Sequence, residues 1–160
     1  ATGTRDWLNT VRGRGQLGAL NATKTDYSTW GGMVTFDSVT NWNFSDDPPA
    51  PDQFDFESVA LHELMHVFGF GIGEPAFVRN VAGWNGTSGQ FVGPTVSAVA
   101  GGPVAIAGEA GEPDHFAPGT TFNGRQSVMQ PALGQGEQRR LTELEFAALQ
   151  DIGWEVSGYA

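Results

Sequence analysis

The chain has 160 residues, no cysteine and a formal net charge of -10, with 18 Asp and Glu against 8 Lys and Arg. That length fits a single domain spanning residues 1–160, and the absence of cysteine excludes disulfides, thiolate metal sites and a cysteine nucleophile. The shortage of cations excludes a basic footprint for nucleic acid or an anionic membrane surface, and no apolar run reaches the ~20 residues of a membrane span.

The chain opens Ala1-Thr2-Gly3, without an initiating Met or a signal peptide, and reads as processed or trimmed. Thr4 to Val11 is predicted as a short helix, followed by a basic turn at Arg12-Gly13-Arg14-Gly15. Met33-Val34-Thr35-Phe36 reads as a strand from its β-branched and aromatic residues, with Trp42-Asn43-Phe44 extending or pairing with it. Ser45 to Gln53 is an acidic, proline-rich loop. Asp46, Asp47 and Asp52 in it carry no EF-hand spacing, so calcium is possible there without a motif to indicate it.

Asp55 is the expected N-cap of a helix over Phe56 to Phe68, which Gly69 stops. Its apolar residues fall on several faces, which predicts a largely buried helix. From Gly71 to Gly124 the chain is glycine-rich, with short strands expected at Thr95–Val99 and Val104–Ile106. Thr142-Glu143-Leu144-Glu145 is a capping-box start to a closing helix that Gly153 ends.

The residues that carry chemistry lie on the first of these helices. His62-Glu63-Leu64-Met65-His66 is an H-E-x-x-H pattern. Residues i and i+4 share one helix face, with Cβ atoms about 6 Å apart, which lets two imidazoles reach one ion at ~2.0–2.1 Å each. Glu63 lies ~100° round the helix, beside such an ion and not bound to it. From there it can take a proton from water and pass it to a leaving amine. The other reading is two core histidines satisfied by backbone or carboxylate, with Glu63 a paired charge.

A catalytic zinc site has three protein ligands and an open position. The remaining histidine is His115, in the polar segment Gly111-Glu112-Pro113-Asp114-His115-Phe116. It is the first choice for the third ligand, with Asp114, Glu74 and Glu57 as alternatives. If His115 binds through one ring nitrogen, the other needs an acceptor, for which Asp114 is too close in sequence to be assumed.

His62 through Gly69 resembles the first eight positions of the extended zinc signature of the metzincin metallopeptidases. Ser127-Val128-Met129-Gln130-Pro131 resembles their methionine-containing turn beneath the metal, with a Met-x-Pro order similar to the matrixin branch. The signature's third histidine falls here on Ile72, so direct transfer fails at that position. The chain instead resembles secreted bacterial metzincin-like proteins whose third histidine arrives from a later loop, an order that His115 fits. Pro131 stands where some branches carry a tyrosine ligand, which excludes one here.

The resemblance covers roughly residues 31 to 155. It implies an α+β, metzincin-like zincin domain: a small twisted mixed sheet over an active-site helix, then a loop-rich C-terminal half with the Met-turn and closing helix. It also implies a secreted or extracytoplasmic, monomeric zinc-dependent endopeptidase. In that reading Zn2+ is held by His62, His66 and His115, and Glu63 is the general base and acid. A peptide or protein substrate would lie along Met33–Phe36 as an edge strand, and the wall of the specificity pocket would come from Ala132 to Gly136. Two alternatives stand beside it: a gluzincin-like site whose third ligand is Glu143 or Glu145, and a zinc-stabilised binding module without catalysis.

Overall fold

The computed structural model describes residues 32–71, 75–108 and 111–156. The chain is α+β, with three small sheets and four helices among these residues. The expected helix at Thr4–Val11 and the basic turn at 12–15 lie outside them.

Helix α1 runs Phe56–Val67. The Asp55 carboxylate accepts from the backbone N–H of Ser58 at 2.9 Å, the N-cap expected from the sequence. At the other end Gly69 takes φ 96°, which a side chain would resist. Its N–H bonds the His66 carbonyl at 2.9 Å and the Phe70 N–H bonds that of Met65 at 3.0 Å. This is a Schellman turn, and it brings Phe70 back against Met65 in the core. The helix is not largely buried as expected: within it only Ser58 and Met65 are, and Leu64 is exposed. One end of α1 meets the core while one side faces a cleft.

Strands β1 (Trp42–Asn43) and β2 (Phe54–Asp55) form a parallel pair. The pair leads directly into α1, and Trp42 takes Phe54 as its ladder partner while its ring meets Phe36 edge-on at 6.3 Å. The predicted strand at Met33–Phe36 is not formed: these residues join no ladder among the described residues, and Met33 is 90% exposed. Phe36 packs on Phe56 with ring centroids 4.8 Å apart, an aromatic contact in place of the ladder.

Strands β3 (Val81–Ala82), β4 (Ser88–Phe91), β5 (Val104–Ala107) and β6 (His115–Phe116) form an antiparallel sheet in that order. A hairpin of β7 (Thr121–Phe122) and β8 (Arg125–Gln126) stands apart. The single mixed sheet expected from the sequence is therefore replaced, among the described residues, by one antiparallel sheet and two separate pairs. The β3–β4 and β5–β6 connections are short and glycine-punctuated, which suits antiparallel pairing, while β4 and β5 are joined through a helix and still pair antiparallel.

Helix α2 (Pro75–Val78) precedes the sheet, and helix α3 (Pro94–Ala100) lies between β4 and β5. The strand expected at Thr95–Val99 is thus helix, while that at Val104–Ile106 is present in β5. β-Branched residues favour strand only weakly, and the local start overrides them. Pro94 occupies the first turn, and the Asp151 carboxylate accepts from the N–H groups of Thr95 and Val96 at 2.9 Å each. Helix α4 (Glu143–Ile152) has the predicted capping box between Thr142 and Glu145, and Gly153 ends it at φ 115°.

The core lies where α3, α4 and the four-stranded sheet meet the end of α1. Phe70, Phe77, Phe91 and Phe116 are fully buried, with Phe70 4.7 Å from Phe77 and 5.0 Å from Phe116 by ring centroid. Each such side chain contributes about 1.5–3 kcal/mol by leaving water. Met129, Leu144, Ala148 and Ile152 complete the packing under α1. No helix among the described residues is long and apolar enough to cross a membrane.

Candidate metal centre

His62 and His66 stand one turn apart on α1, with ring centroids 4.8 Å apart. His115 comes from β6, pinned on both sides. On one side His115 is in register with Ala107 of β5, and on the other the Phe116 N–H bonds the Met129 carbonyl at 2.9 Å. Strand alternation turns Phe116 into the core and His115 the other way, toward α1.

Each imidazole uses its Nδ1 for an outer contact. His62 Nδ1 is 2.8 Å from the Val128 carbonyl, His66 Nδ1 is 2.7 Å from the Phe70 carbonyl, and His115 Nδ1 is 2.6 Å from Asp114 Oδ1. A carbonyl or carboxylate oxygen only accepts, so Nδ1 carries the proton in all three rings. That leaves three Nε2 lone pairs, and they converge. His62 Nε2 lies 3.2 Å from His66 Nε2 and 3.2 Å from His115 Nε2.

Two acceptors at that distance repel each other unless a cation sits between them. Ligands at ~2.0–2.1 Å on a tetrahedral ion would stand about 3.3 Å apart, so the separation suits zinc. The three histidines are the group of side chains, among the described residues, arranged to hold a metal. Burial pushes the His62 and His66 imidazoles below their ordinary pKa, which keeps them neutral, as metal ligands must be.

The other carboxylates considered from the sequence are placed elsewhere. Asp114 lies on the far side of the His115 ring. Glu57 is paired with Arg140 at 2.8 Å, and Glu74 lies outside the described residues. Glu143 is exposed on α4. Glu145 is fully buried, accepting from Ser127 Oγ at 2.5 Å, the Val128 N–H at 3.1 Å and the Thr142 N–H at 2.7 Å.

Glu63 shares with His62 a cleft of about 310 Å³. Trp42, Phe54, Val59, Val128, Pro131 and Leu133 line it, with Thr40, Ser58 and Gln130. Of the wall expected at Ala132 to Gly136, Leu133 alone lines the cleft. Its loop is held from behind, where Arg139 donates to the Ala132 carbonyl and to Glu137, each at 2.8 Å.

Three contributors escaped the sequence reading: the carbonyls of Val128 and Phe70, and Gly71. Backbone acceptors leave no residue-type signal. Gly71 has φ 87°, and a Cβ there would stand 2.6 Å from the Asp114 Cα. Its sequence signal was the Gly71-Ile72-Gly73 run just past the helix. Comparison of this chain with protein families, with curated proteins and with solved structures finds no match.

Proposed function

We propose that this chain is a metzincin-type, zinc-dependent endopeptidase in which His62, His66 and His115 hold the metal and Glu63 moves the proton. The observation that carries the reading is the convergence of three Nε2 lone pairs, each fixed by an acceptor at Nδ1. The residues fit zinc by donor type, number and spacing. The fit does not extend to a glutamate ligand, because both Glu145 oxygens are already engaged with the turn and the helix cap.

Bound there, zinc supplies Lewis acidity, polarising a peptide carbonyl and acidifying water. The chain's own residues do the rest. Glu63 follows His62 on α1 and opens onto the same cleft, so its carboxylate is placed to take a proton from the attacking water. The same group then delivers that proton to the leaving amine nitrogen. Val128 and Phe70 hold the histidines in one tautomer, so no ligand has to reorient. An extended peptide or protein is the substrate that such an open cleft admits, and the resemblance to secreted metzincin-like proteins supports an extracytoplasmic setting.

The test compares zinc content and protein hydrolysis in the parent, Glu63→Gln and His115→Ala. The parent should carry about one zinc and hydrolyse a general protein substrate until a chelator is added. Glu63→Gln should keep zinc and lose nearly all turnover, and His115→Ala should lose most of its zinc. Turnover surviving in Glu63→Gln would overturn the mechanism. A zinc-loaded parent without turnover would leave a binding module.

A further inference from the structure

We infer that Asp114 is the positioning residue of the third metal ligand, and that its negative charge sets how tightly the site holds its metal. The inference rests on the zinc reading above. The three imidazoles are not equivalent. His62 and His66 lean on neutral backbone carbonyls and stand on one helix, which fixes their spacing. His115 comes from a different element and takes a carboxylate, at 2.6 Å, the shortest of the three outer contacts. The pair is shielded, with side chains 13% and 19% exposed.

The placement of Asp114 is itself built. Its N–H bonds the carbonyl of Ala107, the β5 residue that faces His115, at 3.3 Å just ahead of β6. On its other flank the backbone is met by Gly71, where any Cβ would stand 2.6 Å from Asp114 Cα and 2.8 Å from its carbonyl oxygen. The turn that leaves α1 thus reaches the residue that steers His115, so the two halves of the site are in direct contact.

The chemistry follows from charge. A carboxylate accepting from Nδ1–H raises the basicity of Nε2 and fixes the ring plane. It also brings one negative charge close to a dication whose three ligands are neutral rings. Asn at this position keeps the size and an acceptor oxygen and removes the charge. Ala removes both.

The experiment measures zinc affinity by competition with a chromophoric chelator in the parent, Asp114→Asn and Asp114→Ala. Cobalt(II) spectra of the same three proteins are recorded alongside. Asp114→Asn should bind zinc about 10–100-fold more weakly, and Asp114→Ala at least as weakly, with displaced cobalt bands and unchanged metal-free thermal unfolding. A parent that binds no zinc would sink the zinc reading itself. A parent that binds zinc beside an Asp114→Asn within twofold of it would sink this inference alone. Should the variants fail to fold, the zinc-loaded parent still decides. The His115 Nδ1 proton should resonate downfield of those of His62 and His66, and three equal shifts would overturn the carboxylate's role.

Discussion

The Val128 carbonyl lies 2.8 Å from Nδ1 of His62, so a turn 66 residues away in sequence fixes the tautomer of a helix side chain. That turn is fixed in its own right. Glu145, on α4, accepts from Ser127 Oγ and the Val128 N–H through one oxygen and from Thr142 through the other. A capping box has thereby been extended into a support for the candidate metal centre. Ser127, Val128 and Met129 are all buried, and the Met129 carbonyl accepts from Phe116 beside His115. One buried carboxylate therefore steadies the backbone next to two of the three histidines.

Glu145→Gln tests that support. The amide replaces one acceptor oxygen with a donor, leaving two buried donors facing N–H groups at ~1–3 kcal/mol each. Folding stability should fall by about 2–4 kcal/mol in urea unfolding. Zinc affinity should fall too, but less than in His62→Ala. Unchanged stability would mean that the turn holds its shape without Glu145.

Gly71→Ala should damage the metal centre from outside the ligand set. The left-handed backbone at φ 87° costs a side chain roughly 1–2 kcal/mol. The new Cβ would also meet the Asp114 backbone at 2.6 Å, so the strand carrying His115 must move. Zinc content should drop while circular dichroism stays near that of the parent. Full zinc occupancy in this variant would show that the approach of the two segments is incidental.

Asp55 gives the pH dependence. Burial alone would raise its carboxyl pKa, but hydrogen bonds from Ser58 and the Arg140 guanidinium outweigh that and hold it below the ordinary 3.8. A depressed acid stabilises the fold above its unfolded pKa and loses that contribution as pH falls through the folded value. Stability should therefore be level above about pH 5 and decline below pH 4. Asp55→Asn keeps a capping oxygen and loses the charge. It should be about 1.5–3 kcal/mol less stable at neutral pH and show a shallower acid limb. Parallel acid limbs in the two proteins would assign the titration to other carboxylates.

What could be read from the sequence was local. Asp55, Gly69 and the Thr142–Glu145 box announce their helix ends because each acts within four residues of itself. The spacing of His62 and His66 is likewise a property of one helix. The Thr95–Val99 helix was misread because its N-terminal partner, Asp151, lies 56 residues further on. The Met33–Phe36 segment has strand composition and no ladder, since pairing is decided by neighbours that composition does not name. His115 was singled out as the one imidazole left over. Its partner Asp114 stood among the alternative ligands, and as the acceptor for His115 it was too close in sequence to be assumed. Asp114 precedes β6, so strand alternation does not bind it.

The cleft beside Glu63 predicts which bonds are cut. In the proposed mechanism Glu63 delivers its proton to the leaving amine, which assigns the cavity it shares with His62 to the side chain on the amine side of the scissile bond. Among the described residues no charged side chain but Glu63, beside His62, lines its about 310 Å³, and Trp42, Phe54, Val59, Val128, Pro131 and Leu133 dominate its surface. A peptide library should show cleavage before large apolar residues and rejection of charged ones, which would lie there without a partner. Val59→Phe narrows the cavity one turn before His62. A misfit of one or two methylenes is worth ~1–3 kcal/mol, so kcat/KM for the largest residues should fall about 10-fold or more, with little change for alanine or valine. A library cleaved before charged residues as readily as before apolar ones would show that the side chain is bound elsewhere. A uniform loss across all substrates in Val59→Phe would place Val59 in support of His62 and not in substrate selection.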